Sequence, residues 1–340
     1  METIRQAPGP MKDRFEIPMD ACDVHDKQKL ESYRAHWRKW MSWYDHHPDE
    51  PHSIEQQIQQ MLFNDLVYRS VASARGSVPE SVEVSARTGT LVYLLDSGYV
   101  TTQVLAISKL LDPRSDVISV MRLLKDVENK RSVITRETYV CGRGYPYDPI
   151  PSAFDGLSTL AQGENYGLMN PKDSGWIFSH DLHKTFDRLC GKVPADRSRE
   201  DTIPKSVFKR LHSWLETDSI KKLDFLRDKF LAHSANATQR AGERFQGVRF
   251  TELDEAQRAI VRVERVLSDL ILARQVGRAV VPLPPLGLFS KLDFPYATKE
   301  AVETMYQRWD ELTKERDGWQ SGLLDDLVPK VETNDESRNG

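Results

Sequence analysis

Two residues in the stretch FLRDKFLAHSAN, residues 225–236, have side chains whose types and spacing could do chemistry. Arg227 carries a permanent positive charge with forked donors, and His233 can transfer a proton near neutral pH. Leu223 and Leu226 belong to the apolar stripe of a helix, and Arg227 projects beside that stripe at about 100° per residue. Because a charge on a core face is costly unless something pairs with it, this arginine indicates either a buried ion pair or a site.

The spacing of Arg227 and His233 limits how they could act together. Six residues on an ideal α-helix correspond to about 120° of rotation and 9 Å of rise, so one chain's pair cannot grip one phosphate unless the helix ends or bends near His233. The sequence SANATQRAGERFQG that follows is poor enough in helix formers to permit this. In the structural alternative, Arg227 pairs with Asp224 or Glu264, and His233 only interacts with the helix dipole.

Two other groups of histidines are weaker candidates for a functional site. His180 and His183 have i, i+3 spacing, and Asp187 would share their face, so the three could present ligands to a metal. However, no HExxH motif and no second ligand pair accompanies them, and we expect no metal site. The histidines of HHPDEPH, residues 46–52, lie in a proline-rich turn and are expected to face solvent.

Two further patterns invite a functional interpretation. The segment GRGYPY, residues 142–147, has a composition able to touch a phosphate or stack on a base. It fits neither the P-loop nor the dinucleotide fingerprint, and we expect a mobile surface loop there. Trp37, Trp40 and Trp43 follow i, i+3, i+6 spacing and form one aromatic stripe, which is typical of a packing or partner surface.

Apolar periodicity predicts helices over almost the whole chain. Ser115 or Asp116 would cap the helix after the Asp112-Pro113 break, and Asp218 or Ser219 would cap the helix that carries Arg227. The expected helices are 26–44, 52–74, 82–111, 116–140, about 180–190, one opening at 204, the Arg227 helix, 251–277 and about 297–316. The sequence therefore predicts an all-α fold of long helices with irregular loop insertions.

The string LRDKFLAH, residues 226–233, resembles the abortive-infection branch of the HEPN superfamily (higher eukaryotes and prokaryotes nucleotide-binding), whose motif is an arginine, four to six residues and a histidine. LAISKLLDPRSDVISVMRLLKD, residues 105–126, resembles that branch's earlier core helices, joined by a short Asp-containing turn. The helix order also fits, and the resemblance covers roughly 55–275. It implies a HEPN-like helical bundle.

For members with an intact motif, the resemblance implies metal-independent cleavage of RNA. His233 would remove the 2′-hydroxyl proton or protonate the leaving oxygen, and Arg227 would stabilise the charge of the phosphorane-like transition state. Asp228 would orient either side chain, and Lys229 would hold a flanking phosphate. No cofactor and no metal is implied. Related proteins dimerise so that two motifs face one cleft, and we therefore expect a homodimer with a shared groove.

These expectations amount to an endoribonuclease that cleaves RNA through the 2′-hydroxyl in a bacterial defence or toxin–antitoxin setting, with an antitoxin or regulatory protein as a further partner. The alternative is a catalytically inactive HEPN-like module that binds RNA, a nucleotide or a protein partner. A third and weaker hypothesis is a metal hydrolase that uses His180 and His183.

The composition of the chain limits its class, its partners and its location. The chain has 340 residues, of which 39% are hydrophobic and 29% charged, with a net charge of −4. Lys and Arg exceed Asp and Glu by fifteen to nine between residues 184 and 249, which could steer a polyanion there. The absence of a signal sequence or an apolar run of about eighteen residues predicts a cytoplasmic protein without membrane contact, and the three cysteines are expected to be reduced.

The expected domain organisation has four parts. They are a polar amino-terminal tail over 1–25, a single HEPN-like domain over 26–280 with a long loop at 141–176, a proline-rich break with a terminal helix over 281–327, and a disordered tail over 328–340.

Overall fold

The structure is a computed structural model that describes residues 15, 17–45, 52–76, 89–148, 171–231 and 247–274, together with 281, 288–289 and 311. These residues are predominantly helical and include no strand, only an isolated bridge between Thr135 and Thr202. The predicted all-α class is therefore confirmed. The α-helices are α1 (Lys27–Tyr44), α2 (Ile54–Gly76), α3 (Thr90–Leu110), α4 (Val120–Asn129), α5 (Arg136–Cys141), α6 (Pro171–Cys190), α7 (Lys205–Trp214), α8 (Asp218–Leu226) and α9 (Phe250–Arg265).

Two π-helical turns extend this set. Arg227–Leu231 continues α8, and Val266–Ile271 continues α9. Short 3₁₀ helices occupy Met19–Ala21, Arg131–Val133 and Pro194–Asp196. None of the helices in the described part of the chain is both long and apolar enough to span a membrane.

The segment predicted as one helix over 116–140 is divided in the structure. Ser119, not Ser115 or Asp116, caps α4, because its side chain accepts a hydrogen bond from the Arg122 amide. Thr135 begins α5 with a capping box that it shares with Thr138. The division follows from two good caps within one apolar pattern, which periodicity alone does not separate.

Two other predicted helix starts were wrong. α6 begins at Pro171, earlier than the expected 180, so the last part of the 141–176 connection is helical. Residues 149–170 of that connection lie outside the described residues. Thr217, not Asp218 or Ser219, caps α8 and accepts from the Ile220 amide at 3.3 Å.

The tryptophan stripe of α1 lies in the core, so its function is packing. Trp37, Trp40 and Trp43 are all buried. The Trp37 indole donates to the Leu272 carbonyl at 3.0 Å, and the Trp40 indole donates to Asp126 at 2.7 Å. The first contact fixes the end of the second π-helical turn against α1, because a buried carbonyl needs a donor.

Part of the segment expected to be a polar tail also enters the core. Phe15, Cys22 and Val24 are buried, and the Phe15 ring packs edge-on against Trp37 with centroids 5.1 Å apart. The polar tail expected over 1–25 therefore contributes apolar packing from Phe15 onwards. Cys22, Cys141 and Cys190 are free thiols, as expected.

α2 and α3 form an antiparallel pair. The Gln103 amide donates to the Met61 carbonyl at 3.1 Å, and the Tyr68 hydroxyl donates to Asp96 at 2.7 Å. Tyr68 and Tyr99 stack with ring centroids 3.7 Å apart. These contacts fix the position of α3, whose carboxyl-terminal end reaches the site described below.

The GRGYPY segment is packed and is not the mobile surface loop that we predicted. Gly144 has φ +88°, and a Cβ there would lie 2.6 Å from Cγ1 of Ile17. The Arg143 guanidinium donates to the carbonyl of Ala273, and Tyr145 stacks on Phe178 with centroids 5.4 Å apart. The glycines therefore serve close packing.

The chain divides into two compact units, Met1–Pro282 and Leu283–Gly340. The helix predicted over 297–316 lies outside the described residues except for Glu311, which is helical, and the tail predicted over 328–340 also lies outside them. The predicted domain boundaries stay predictions.

Candidate functional site

Arg227 lies where α8 changes into a π-helical turn. Leu223 and Leu226 of the preceding turn are buried, whereas Phe230 is only partly buried. The Arg227 side chain is 30% exposed. The arginine therefore sits at the edge of the core, where the apolar stripe gives way to solvent, and π-helical turns of this kind often occur at functional sites.

Two carboxylates contact the guanidinium of Arg227. Nε donates to Oδ1 of Asp228 at 2.7 Å, and Nη1 lies 3.0 Å from Oδ1 of Asp224. Asp224 is one of the two ion-pair partners that we expected for Arg227 if its role is only structural. The other named partner, Glu264, is buried elsewhere and accepts a hydrogen bond from the Tyr44 hydroxyl. Asp228 is placed where it can orient the guanidinium.

The electrostatics around Arg227 are set by these carboxylates. The hydrogen bond that Arg227 donates to Asp228 raises the pKa of Arg227, and the charges of Asp224 and Asp112 raise it further. Burial raises the pKa of Asp224, and the charge of Arg227 only partly opposes this. Arg227 is thus fully charged, while Asp224 holds its proton more tightly than an ordinary aspartate.

The turn after α3 brings a second ion pair towards Arg227. The Arg114 guanidinium contacts Asp112 at 2.8 Å. The hydrogen bonds from Arg114 lower the pKa of Asp112, and the charge of Arg227 lowers it further. Sequence reasoning did not place this pair beside Arg227. The sequence feature that could have indicated it was the Asp-containing turn within residues 105–126.

The structure therefore brings the two segments of the HEPN resemblance together. α8 and its π-helical turn both pack against α3. The end of α3 and the turn that follows it belong to residues 105–126, and Arg227 belongs to residues 225–236. Two segments that are separate in the chain thus contribute charged groups to one region.

The structure does not test the roles predicted for His233 and Lys229. His233 lies outside the described residues, so its role stays a prediction. Lys229 is partly buried and forms no ion pair with any described residue. A flanking phosphate contact by Lys229 also stays a prediction.

His183 belongs to a buried polar network. Its Nε2 lies 2.7 Å from the Tyr147 carbonyl, its Nδ1 lies 3.5 Å from Nη1 of Arg136, and burial lowers its pKa to about 4. Asp187 is bonded to Arg136 at 2.7 Å and to Arg197 at 2.6 Å. Among the described residues, no group of three or more side chains could hold a metal ion.

Comparisons of the chain with protein-family models, with curated proteins and with solved structures give no match.

Proposed function

We propose that this chain is a metal-independent endoribonuclease of the HEPN type, which cleaves RNA through the 2′-hydroxyl in a bacterial defence or toxin–antitoxin setting. Arg227 stabilises the negative charge that develops at phosphorus, and His233 transfers a proton. RNA is the partner in the reaction, a second copy of the chain shares the groove, and an antitoxin or regulatory protein controls it. The cytoplasm is the expected location.

One observation carries this proposal. The segment that contains Arg227 packs against α3, and its charge acts on Asp112 in the turn after that helix. Both segments resemble the same branch of the HEPN superfamily, and their contact allows them to contribute to one site. Arg227 is also partly exposed, as a group that binds phosphate must be.

The contacts of Arg227 favour a second candidate function as well. Nε and Nη1 are both engaged by carboxylates, which reduces the positive charge available to a phosphate. A catalytically inactive HEPN-like module that binds RNA, a nucleotide or a protein partner needs no free guanidinium. Activity measurements separate the two functions.

The test is cleavage of RNA in the presence of EDTA. We expect wild-type protein to cleave, and we expect Arg227→Ala and His233→Ala each to lose about 10²-fold or more of the rate. Arg210→Ala is a matched control, because Arg210 is an exposed arginine of α7 without an ion pair among the described residues.

Each other outcome identifies a different function. Binding of RNA without cleavage by wild-type protein would favour the inactive module. Cleavage that EDTA abolishes and that Arg227→Ala leaves intact would support a metal hydrolase using His180 and His183, the third hypothesis. Cleavage by Arg227→Ala at the wild-type rate in EDTA would contradict the assigned role of the arginine.

A further inference from the structure

A groove runs along the α2–α3 pair towards the turn that follows α3. It consists of two cavities, one of about 360 Å³ between the two helices and one of about 420 Å³ at the turn. Both cavities are lined by His52, Gln57 and Lys109, so they form one continuous groove. Each is large enough for a small ligand, because ligand pockets begin at about 300 Å³. We call it the amide groove, after the α2 side chains of Gln56, Gln57, Gln60 and Asn64.

Two of these amides leave a donor and an acceptor free. Nε2 of Gln60 donates to Oδ1 of Asn64 at 2.7 Å. The carbonyl oxygen of Gln60 and the amide nitrogen of Asn64 form no hydrogen bond with any described residue. A neighbouring donor and acceptor of this kind can bind the edge of a nucleobase. Leu105 and Ala106 of α3 line the same cavity, and they offer apolar surface to the face of that base.

Lys109 gives the amide groove a positive charge. It lies in the last turn of α3, it is exposed, and it forms no ion pair with any described residue. None of the described residues that line the cavity between the helices is acidic. Asp112 and Asp116 line the cavity at the turn together with Arg114, which contacts Asp112 at 2.8 Å. A phosphate between the helices therefore meets the ammonium group of Lys109 and no carboxylate of that lining.

The amide groove leads to the region of Arg227. Asp112 lines its end at the turn, and the charge of Arg227 lowers the pKa of that carboxyl group. The π-helical turn that begins at Arg227 also packs against α3. An RNA strand with one phosphate at Arg227 can therefore continue past Asp112 into the groove. Only an unpaired base presents its edge there, because pairing occupies that edge in an RNA duplex.

We propose that the amide groove binds an unpaired nucleotide of single-stranded RNA next to the phosphate that Arg227 holds, an inference that rests on the proposed function. Gln60 and Asn64 bind the edge of the base, and Lys109 binds the adjoining phosphate. These groups take no part in breaking the bond, so they contribute to the affinity for the substrate and to the choice of single-stranded over double-stranded RNA.

The test measures binding of RNA without cleavage. A fluorescein-labelled single-stranded RNA with 2′-fluoro sugars lacks the oxygen that attacks phosphorus, so fluorescence anisotropy in EDTA gives the Kd of the full chain at several salt concentrations. Lys109→Gln should raise Kd about fivefold in 0.1 M salt and reduce the slope of log Kd against log salt by about 0.7, the contribution of one phosphate contact on a single strand. The double variant Gln60→Ala, Asn64→Ala should raise Kd about fivefold or more and keep the slope, because it removes no charge.

A matched control and a kinetic measurement make the result specific. Lys130→Gln should bind as wild type does, because Lys130 is an exposed lysine at the carboxyl-terminal end of α4 and lines no part of the amide groove. With ordinary RNA, the groove variants should raise KM and keep kcat within about threefold, because the groove binds the substrate and the transition state alike. Thermal unfolding shows that each variant is folded.

Two results would overturn the inference. If Lys109→Gln and the double amide variant both bind within about twofold of Lys130→Gln, the amide groove does not bind RNA. If the double amide variant loses as much affinity for a duplex of the same sequence, the groove does not select an unpaired base.

Failure of the groove is distinct from failure of the proposed function. If wild-type protein cleaves RNA in EDTA and the groove variants keep the wild-type Kd and KM, this inference falls and the proposed function stands. If wild-type protein binds the 2′-fluoro RNA through the groove and cleaves no RNA, the ribonuclease falls and the binding role of the groove stands. If wild-type protein binds no RNA, both fall.

Discussion

Glu264 is an acidic residue held in the core of the larger unit. Its side chain is only 3% exposed, and the Tyr44 hydroxyl donates a hydrogen bond to it. Burial raises the pKa of Glu264 to about 7, against the opposing charge of Arg265. The folded protein therefore binds a proton that the unfolded chain releases near the ordinary pKa of a glutamate.

The sign of the resulting pH dependence follows from this difference. Because the folded state binds more protons between about pH 4.5 and pH 7, the free energy of unfolding falls as pH rises through that range, by up to about 3 kcal/mol. Glu264→Gln should remove this contribution. Urea unfolding at several pH values measures it, and an equal slope in wild type and variant would contradict the prediction.

Asp224 and Glu264 show what residue spacing can and cannot predict. Asp224 lies three positions before Arg227, so helical geometry alone suggested their contact. Glu264 instead meets Tyr44, 220 positions away in the chain, and no local pattern contains that partner. The same limit applies to Asp112, which only the packing of α3 against α8 brings towards Arg227.

At the scale of elements, α5 is anchored by a fully buried arginine. Arg136 bonds to Asp187 of α6 at 2.7 Å and to Asp201 at 3.0 Å. Its guanidinium also lies 5.0 Å from the centroid of the Phe186 ring. A short helix thus gains its position from ionic contacts to two distant segments, which its own sequence does not reveal.

Replacement of this arginine should be costly. Arg136→Met leaves two carboxylates in a buried region with fewer donors, and we expect a loss of about 3 kcal/mol in the free energy of unfolding. Arg197→Met is the matched control, because Arg197 is partly exposed and Asp187 keeps its bond to Arg136. Denaturant unfolding compares them, and equal losses would show that burial of Arg136 has no special effect.

The apolar stripe of α8 gives a second prediction for an element. Leu223 is completely buried, so Leu223→Ala should lower the free energy of unfolding by about 2–5 kcal/mol. Phe230 is only partly buried in the π-helical turn, so Phe230→Ala should cost less than a fully buried phenylalanine does. If Phe230→Ala proves more costly than Leu223→Ala, the core extends further along this segment than its burial indicates.

Helix type was easier to predict than helix ends. The apolar periodicity of 26–44 and 52–74 corresponds closely to α1 and α2, because one face of each helix packs on the core. The ends depend on single side chains such as Ser119 and Thr217, where several neighbouring residues have similar capping ability. GRGYPY looked like a surface loop because its packing partners, Ile17 and Ala273, are distant in the sequence.

At the scale of the whole molecule, the prediction concerns assembly. The chain has a mass of 39.0 kDa, and the proposed shared groove requires two copies, so light scattering after size exclusion should give twice that mass. Arg227→Ala should keep the dimer, because its loss of activity is assigned to the site. A clean monomer at high concentration would contradict the shared groove.

The π-helical turn at Arg227–Leu231 makes the direction of the following chain depend on the number of residues in the turn. Its hydrogen bonds span five residues instead of four, so the turn holds one residue more than an α-helical turn does. Deletion of Lys229 would allow an α-helical turn to form, and everything that follows would rotate by about 100° relative to α8. The direction in which the chain leaves Arg227 is therefore set by the number of residues in the turn, and a deletion can change it without altering Arg227 or Asp224.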